Sequence, residues 1–314
     1  MRLSDLRQNF YEGKIEKKLY WTIVRENYTH ILPQLQKIVE ANKEVQSVEI
    51  RKDGVVLKKF SGVLLYFDFS QAMCRAETEL MNEGDPEKDD MKYINEYLCS
   101  HENSSILDIG ANAGIFSLDF YQNHKNLTYY LFEPVPYTFK WLLKNAEINQ
   151  VDKDRYLPFN IGLSNEKGSF DFYVPASNEA ASLVANEDAF FRKKATEDGE
   201  YTGDIEIDKV LCKVEKLDEF AEEHNISDIS FIKIDVEGNE LNVLKGATST
   251  LVKYKPLVYC ELLRKHAKRF GYHPNDVIRY MSELGYKCNV IRNGEMVNVD
   301  TINEETVETN FFFM

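Results

Sequence analysis

From residue 106 onward the chain alternates between two hydrophobic periodicities, and this alternation constrains the fold more than any other feature. Short apolar runs predict β-strands, and segments with apolar residues three and four positions apart predict amphipathic helices. Strands and helices in alternation indicate βαβ units, and therefore a mainly parallel sheet with helices on both faces. The predicted strands are 106–109, 128–132, 156–161, 231–234, 257–261 and 287–291, and the predicted helices are 114–122, 137–148, 240–252 and 274–284.

The residues before this alternation follow a different pattern. Residues 5–42 have helical spacing, with an interruption expected near Pro33. Two alternating runs then flank a Lys-Asp-Gly turn, in which Gly54 can adopt a positive φ, so a β-hairpin is expected there. Residues 64–69 would extend the hairpin, and residues 91–99 predict a helix.

These patterns divide the chain into two parts. Residues 1–100 are expected to form a small α+β extension, and residues 101–314 an α/β domain. An acidic segment near 175–210 interrupts the alternation and is expected to be an insertion, of the kind that often forms a lid or is disordered. The final residues, TNFFFM, suit an edge or antiparallel strand.

Charge and cysteine content limit the partners of the protein. The formal net charge of -14 would repel a phosphate backbone, so we expect no nucleic-acid partner and no anionic membrane surface. No apolar run is long enough to span a bilayer or serve as a signal peptide. The five cysteines contain no C-x-x-C pair, which predicts no metal site and a reducing, cytoplasmic setting.

The stretch ILDIGANAGIF places an acid, Asp108, inside a short apolar strand and follows it with small residues. Ligands of open α/β sheets bind at the carboxyl ends of the strands, near the point where strand order reverses. Gly110, Ala111 and Gly114, with Asn112 among them, allow a tight turn and a close approach of the backbone to a ligand. The turn after this strand is therefore a candidate binding site.

The spacing of the acids and glycines indicates the kind of ligand. Glu133 follows the second strand, 23 residues after Gly110, which suits an acid that accepts hydrogen bonds from a ribose. A dinucleotide site would require glycines where Asn112 and Ile115 stand, so a nicotinamide-dependent oxidoreductase is disfavoured. Asp108 either meets a cation, such as the amino or sulfonium group of S-adenosylmethionine (SAM), or caps the next helix. Together the three features favour SAM.

A second group of charged residues lies in KIDVEG. Alternation along the strand places Lys233, Asp235 and Glu237 on one face, where ionisable groups are costly unless they are paired or used. One interpretation is a Lys233–Asp235 ion pair near the rim of the sheet. The other places Asp235 and Glu237 at the end of the strand, facing the same cleft as Asp108.

The segments DIGANAG, FEPVP, NIGLSNEKG, KLDEF and KIDVEGNELNVLKGA resemble the FkbM-type SAM-dependent methyltransferases, over roughly residues 103–289. The resemblance implies a Rossmann-like, seven-stranded, mostly parallel sheet and O-methylation of hydroxyl groups, frequently on sugars or polyketide products. It also implies that residues 108–114 hold the methionine part of SAM, that Glu133 beside Pro134 holds the ribose, and that Asn160 lies near the adenine. Val135 stands where the family more often has Asn.

Methyl transfer to a hydroxyl can be assisted by a base. Our candidates are Asp235, Glu237 and Glu261, the last ending the strand VYCEL. His266 in RKHAKR is expected to be solvated, and His273 to begin a helix. The predicted function is SAM-dependent methylation of a hydroxyl oxygen on a sugar, polysaccharide or other small-molecule acceptor. The alternative is a non-catalytic module with the same fold that binds SAM or a glycan.

Overall fold

The computed structural model describes residues 3–28, 31–67, 87–174, 181–183 and 208–314. Most of the predicted insertion near 175–210 lies outside the described residues, as do the last two residues predicted to extend the N-terminal hairpin.

Within the described residues the main sheet has eight strands. They are β4 (Ser105–Ile109), β5 (Thr128–Phe132), β6 (Tyr156–Phe159), β10 (Ile229–Ile234), β11 (Leu257–Glu261), β12 (Cys288–Arg292), β13 (Glu295–Asn298) and β14 (Asn310–Phe313). Their order in the sheet is β13-β12-β14-β11-β10-β4-β5-β6. The five strands from β11 to β6 are parallel, whereas β14 is antiparallel to both of its neighbours. Strand order reverses between β4 and β10, so the topological switch point lies at the carboxyl ends of these two strands.

The α/β class and the Rossmann-like sheet are confirmed, but the sheet has one strand more than the seven expected. The extra strand, β13, pairs with β12 through a hairpin turn at Asn293 and Gly294, whose φ angles are 54° and 78°. Positive φ at both positions is the geometry that an Asn-Gly hairpin turn requires. The final strand β14 is antiparallel as expected, although it lies inside the sheet and not at its edge.

Two of the predicted helices differ from expectation. The helix predicted at 240–252 is two helices separated near Gly246, where a Cβ atom would lie 2.1 Å from the carbonyl oxygen of Ser164. A further helix spans the RKHAKR segment, where none was expected. The helices of this part are α4 (Lys88–Leu98), α5 (Ile115–Tyr121), α6 (Pro136–Ile148), α7 (Leu217–Glu223), α8 (Glu240–Lys245), α9 (Thr248–Tyr254), α10 (Arg264–Arg269) and α11 (Pro274–Glu283).

The described residues of the N-terminal part form three helices and three strands. They are α1 (Leu3–Tyr11), α2 (Lys17–Tyr28), α3 (Ile31–Ala41), β1 (Val45–Ile50), β2 (Val55–Lys59) and β3 (Leu64–Phe67). Pro33 lies in the first turn of α3, where the missing N–H would have no helical partner in any case. The strands pair antiparallel in the order β1-β2-β3, which confirms the hairpin and its extension for the described residues.

The hairpin sheet and the main sheet share one hydrophobic core. Leu57 and Leu65 of the hairpin pack in the same cluster as Phe231 of β10 and Leu142 of α6, and α4 contributes to it as well. The backbone N–H of Tyr66 also donates to a side-chain oxygen on α6 at 2.7 Å. The expected boundary near residue 100 thus falls within a shared core. A separate cluster covers the opposite face of the main sheet.

A second small sheet covers the turn that follows β5. Its strands are β7 (Gly162–Leu163), β8 (Gly168–Val174) and β9 (Asp208–Glu215), in the order β7-β9-β8. Phe172 and Val214 from this sheet pack against Val135, two positions after Glu133. Strands β8 and β9 flank the segment expected to be an insertion, and the small sheet forms an apolar cover over one end of the candidate site.

Candidate active site

A cavity of about 400 Å³ opens at the carboxyl ends of β4, β5, β10 and β11. Among the predicted site residues, those that line it come from all four strand ends. They are Gly110, Ala111, Asn112, Glu133, Pro134, Asp235, Glu237 and Glu261. The cavity also reaches the second small sheet on one side and the N-terminal hairpin on the other.

The turn after β4 is held in a conformation that requires glycine at its first position. Gly110 has a φ of 78°, and a Cβ atom there would lie 1.8 Å from the carbonyl oxygen of Asp235. No side chain fits at that distance. The absence of a side chain at Gly110 therefore lets the ends of β4 and β10 approach each other at the floor of the cavity.

Glu133 is buried and is fixed by the turn after β4. Its two carboxylate oxygens accept hydrogen bonds from the backbone N–H groups of Asn112 at 3.0 Å and Val135 at 2.9 Å. Burial raises the pKa of Glu133 to about 7, and these two N–H groups oppose that rise. A carboxylate has about four acceptor positions, so two remain for a ligand in the cavity.

Asp108 does not line the cavity. The structure buries it to 1% exposure under the turn, where Ser117 Oγ donates to Oδ2 at 2.7 Å and Lys233 Nζ lies 3.5 Å from Oδ1. Lys233 also donates to the carbonyl oxygen of Gly110 at 3.0 Å. The cation that contacts this acid in the structure is therefore the side chain of Lys233, a partner that the sequence analysis did not consider for Asp108.

Gly114 and Asn160 were also expected at the cofactor, and neither lines the cavity. Gly114 begins α5 with a φ of 78°, and a Cβ atom there would lie 3.0 Å from the hydroxyl of Tyr156. Asn160 donates from Nδ2 to the carbonyl oxygens of Glu133 and Pro134, at 2.8 and 3.0 Å. Both residues therefore support the backbone behind the site.

The three candidate bases lie together on the opposite side of the cavity. Asp235 follows β10, is 39% exposed, and has Oδ2 3.2 Å from Lys233 Nζ. Because β10 ends at Ile234, the alternation that was used to place Glu237 does not reach it. Glu237 instead enters the cavity from a turn in which its own φ is 56°. The ion pair and the position facing the cavity are thus both present at Asp235.

Burial changes the charge of the other two acids. Burial, together with the neighbouring carboxylate of Asp235, raises the pKa of Glu237 to about 8 and that of Glu261 to about 10. A base is most effective when its pKa is close to the working pH, so Glu237 is suited to exchange a proton near neutrality. The two carboxyl groups therefore differ in their surroundings: Asp235 is 39% exposed and contacts Lys233, whereas Glu237 is more buried and has a raised pKa.

His266 is buried at 7% exposure on α10, so the expectation that it is solvated was wrong. Its Nδ1 lies 3.1 Å from Glu237 Oε2 but has no hydrogen-bond partner within the described part of the chain. Burial lowers the pKa of His266 to about 4, so both groups are uncharged near neutral pH and do not form a salt bridge. His273 caps α11, as expected.

Several lining residues were missed by reading the sequence. Tyr259 lies two positions before Glu261 on the same face of β11, so alternation could have found it. Its hydroxyl donates to Asp90 Oδ2 at 2.9 Å. Nothing in the local sequence pointed to five further polar residues of the lining, Glu44, Lys59, Glu87, Asp119 and Asn310.

Within the described ranges, no group of three or more His, Cys, Asp or Glu side chains is arranged to hold a metal ion. Across the same residues, no helix is long and apolar enough to cross a membrane.

The fold and the site together define a class of protein. A Rossmann-like sheet with a glycine turn after its first parallel strand, an acid after the next strand, and a cavity at the switch point is typical of nucleoside-binding α/β enzymes. The departure from the dinucleotide glycine pattern argues against a nicotinamide-dependent member of this class.

Comparison with known families agrees with this class. Residues 108–288 match the family described as Methyltransferase FkbM domain. The chain therefore belongs to this family of SAM-dependent methyltransferases, and the resemblance found in the sequence is confirmed.

Curated relatives match a similar part of the chain. Methyltransferase 1 of Beauveria bassiana is 29% identical over 148 residues, which cover 46% of this chain and 59% of that protein. The hexuronic acid methyltransferase AglP of Haloferax volcanii is 28% identical over 193 residues, covering 62% and 67%. The 2-O-methyltransferase NoeI of Sinorhizobium fredii is 26% identical over 156 residues, covering 50% and 62%. The chain thus spans about three fifths of the first of these relatives.

Proposed function

We propose that the protein transfers a methyl group from SAM to a hydroxyl oxygen of a carbohydrate or similar polyhydroxylated acceptor. The observation that carries this proposal is the layout of one cavity. A buried carboxylate with acceptor positions to spare, Glu133, lies at one end, and the carboxyl groups of Asp235, Glu237 and Glu261 lie at the other.

The residues around Glu133 fit the nucleoside part of SAM. The carboxylate of Glu133 would accept hydrogen bonds from the ribose hydroxyls, while Gly110, Ala111 and Asn112 would border the methionine part. Phe172 and Leu163 line the cavity on the far side of Glu133 and provide an apolar wall of the kind that an adenine ring requires. Asn160 would act on this end indirectly, by fixing the backbone of Glu133 and Pro134.

The spacing of the strands separates cofactor from acceptor. From β5, which precedes Glu133, to β11, which ends at Glu261, there are three strand intervals. At about 4.8 Å each, these intervals span roughly 14 Å, so an adenosine at one end leaves the other end for a second molecule. SAM, when bound, supplies a methyl group attached to a positively charged sulfur.

The chain then has to orient a hydroxyl group and accept its proton. Asp235 is suited to this because Lys233, which is itself fixed by Asp108 and by the carbonyl of Gly110, lies 3.2 Å from its carboxylate. The hydroxyl oxygen would form the new bond to the methyl carbon as the carbon–sulfur bond breaks, and its proton would pass to a carboxylate. Glu237 is the second candidate for that proton.

The names of two relatives support an oxygen acceptor. AglP is named for action on a hexuronic acid, and NoeI for methylation at an oxygen.

Four cysteines of the described chain are free thiols, which supports a reducing, cytoplasmic setting.

The experiment is incubation with labelled SAM and a panel of glycosides, with S-adenosylhomocysteine and methylated product measured together. Asp235→Asn should retain SAM affinity and lower turnover by about 100-fold, the usual scale of lost acid–base assistance. Its matched control is Asp171→Asn, an exposed acid on β8 away from the cavity lining. SAM binding without turnover on any acceptor would favour the alternative, a non-catalytic binding module, and absence of SAM binding would contradict the proposed methyltransferase.

A further inference from the structure

Part of the cavity wall comes from outside the segment that matches the FkbM family. Glu44 and Lys59 of the N-terminal hairpin region line the cavity, and so do Glu87 before α4 and Asn310 of β14. Asn310 pairs with Glu261 across β14 and β11, and its Nδ2 donates to Glu87 Oε1 at 2.8 Å. Lys59 contacts Asp119, which lies one turn after Phe116 on α5, and the ring of Phe116 is 6.2 Å from that of Tyr259 on β11. This wall therefore faces the position of the acceptor and not that of the nucleoside.

Hydrogen bonds and an ion pair attach this wall to the rest of the fold. The backbone N–H of Glu44 donates to Asn42 Oδ1 at 2.8 Å, and its carbonyl oxygen accepts from Phe60 N–H at 2.9 Å. Lys59 is buried, and its Nζ lies 2.7 Å from Asp119 Oδ2 on α5. The hairpin is further tied to α6, because the amide of Asn149 both accepts from the N–H of Leu64 and donates to its carbonyl.

Acidic side chains outnumber basic ones among the described lining residues, and they still do when Glu237 and Glu261, whose raised pKa values leave them uncharged near neutral pH, are left out. Seven of these residues carry carboxyl groups and two carry amines, and none is an arginine or a histidine. Each of the two lysines already contacts a carboxylate, Lys59 at Asp119 and Lys233 at Asp235. A negatively charged acceptor would therefore meet repulsion without an uncommitted cation among these residues, whereas an amine would meet attraction.

We propose that the hairpin region, through Glu44 and the Lys59–Asp119 pair, forms the acceptor subsite and selects neutral or amino-bearing polyols over acceptors that carry a carboxylate. This inference rests on the proposed function and goes beyond it by naming the class of acceptor and the residues that choose it. It also separates this protein from a relative named for action on a hexuronic acid.

The test compares three glycosides that share one ring and aglycone: a neutral hexoside, the matching hexosaminide with a free amine, and the matching hexuronide. We expect kcat/KM for the hexuronide to be lower than for the other two by about tenfold or more, the scale of one unfavourable charge contact. Glu44→Gln should raise KM for the hexosaminide by up to about tenfold, with kcat and SAM affinity little changed. Glu44→Lys should narrow or reverse the difference between hexosaminide and hexuronide.

The matched control is Glu49→Gln, which removes an exposed acid of β1 that does not line the cavity. It should leave all three KM values unchanged. Binding of the three glycosides to the protein saturated with S-adenosylhomocysteine, followed by ligand-observed NMR, gives a readout that does not depend on turnover. A preference for the hexuronide, Glu44 variants with wild-type selectivity, or failure of all three glycosides to bind would each overturn the subsite. If one of these results is found but some other hydroxylated acceptor is methylated, the proposed function still holds and only the subsite is wrong. If the wild-type protein does not bind SAM, the subsite and the proposed function are both wrong.

Discussion

Lys233 connects a buried acid to the cavity, and Lys233→Met tests the consequence. The substitution leaves the Asp108 carboxylate, 1% exposed, without its cation. Removing one partner of a buried ion pair typically destabilises a protein by about 3–5 kcal/mol. Asp235 loses the same cation, but it is 39% exposed, and pairs at that exposure contribute only about 0–1 kcal/mol. We therefore expect a loss of about 3–5 kcal/mol, caused mainly by Asp108.

Urea and thermal unfolding measure this loss, which corresponds to a fall in Tm on the order of 10 °C. The double variant Asp108→Asn/Lys233→Met should recover part of the stability, because the stranded charge is gone. Arg279→Met is the matched control, since it breaks an exposed pair with Asp276 and should cost less than about 1 kcal/mol. A Lys233→Met protein within about 1 kcal/mol of wild type would refute the reasoning, and so would a double variant no more stable than the single one.

Three further outcomes are expected at Glu133 and Glu237. Glu133→Ala should weaken SAM binding by about 1.5–3 kcal/mol in calorimetry and also lower Tm, because the N–H groups of Asn112 and Val135 lose their acceptor; unchanged SAM affinity would contradict the assignment of the ribose. In wild type, SAM affinity should increase as the pH rises through about 7, since the pKa of Glu133 lies there and its ionised form accepts the hydrogen bonds; a flat profile would argue against it. Burial raises the folded-state pKa of Glu237 to about 8, so its contribution to stability is complete below its ordinary value of 4.5 and is lost as the pH rises through 8. Glu237→Gln should accordingly lose less stability than wild type across that window, and parallel unfolding curves against pH would contradict this.

The order of strands and helices was largely predictable because hydrophobic periodicity is local. The predictions that failed concern segments where a tertiary contact overrides that periodicity or where charged residues hide it. Gly246 divides one predicted helix because Ser164, distant in sequence, leaves no room for a Cβ atom. In α10 the charged residues of RKHAKR hide a short buried face formed by His266 and Ala267. The Asn293–Gly294 turn was a local signal that could have predicted β13.

The candidate site was predictable only where parallel strands impose it. Asp235 and Glu261 end neighbouring parallel strands, and the carboxyl ends of such strands meet at one edge of a sheet. The hairpin wall follows no such rule. Lys59 and Asp119 are 60 positions apart and meet because the hairpin packs on α5 and α6 through a shared core. Contacts of that kind depend on tertiary packing, which no local pattern in this sequence predicts.

The structure also changes the relation between the two interpretations of the KIDVEG strand. An ion pair and a position facing the cavity were treated as alternatives, yet Asp235 has both, because Lys233 lies between a fully buried acid and a half-exposed one. Asp108 and the carbonyl of Gly110 fix the lysine from below, so the cation meets Asp235 in a preorganised position. Preorganised charges are effective because little reorganisation is needed when a reaction begins. Asp108, the acid inside the first parallel strand, would therefore act on an acceptor through Lys233 and Asp235, without contacting any ligand.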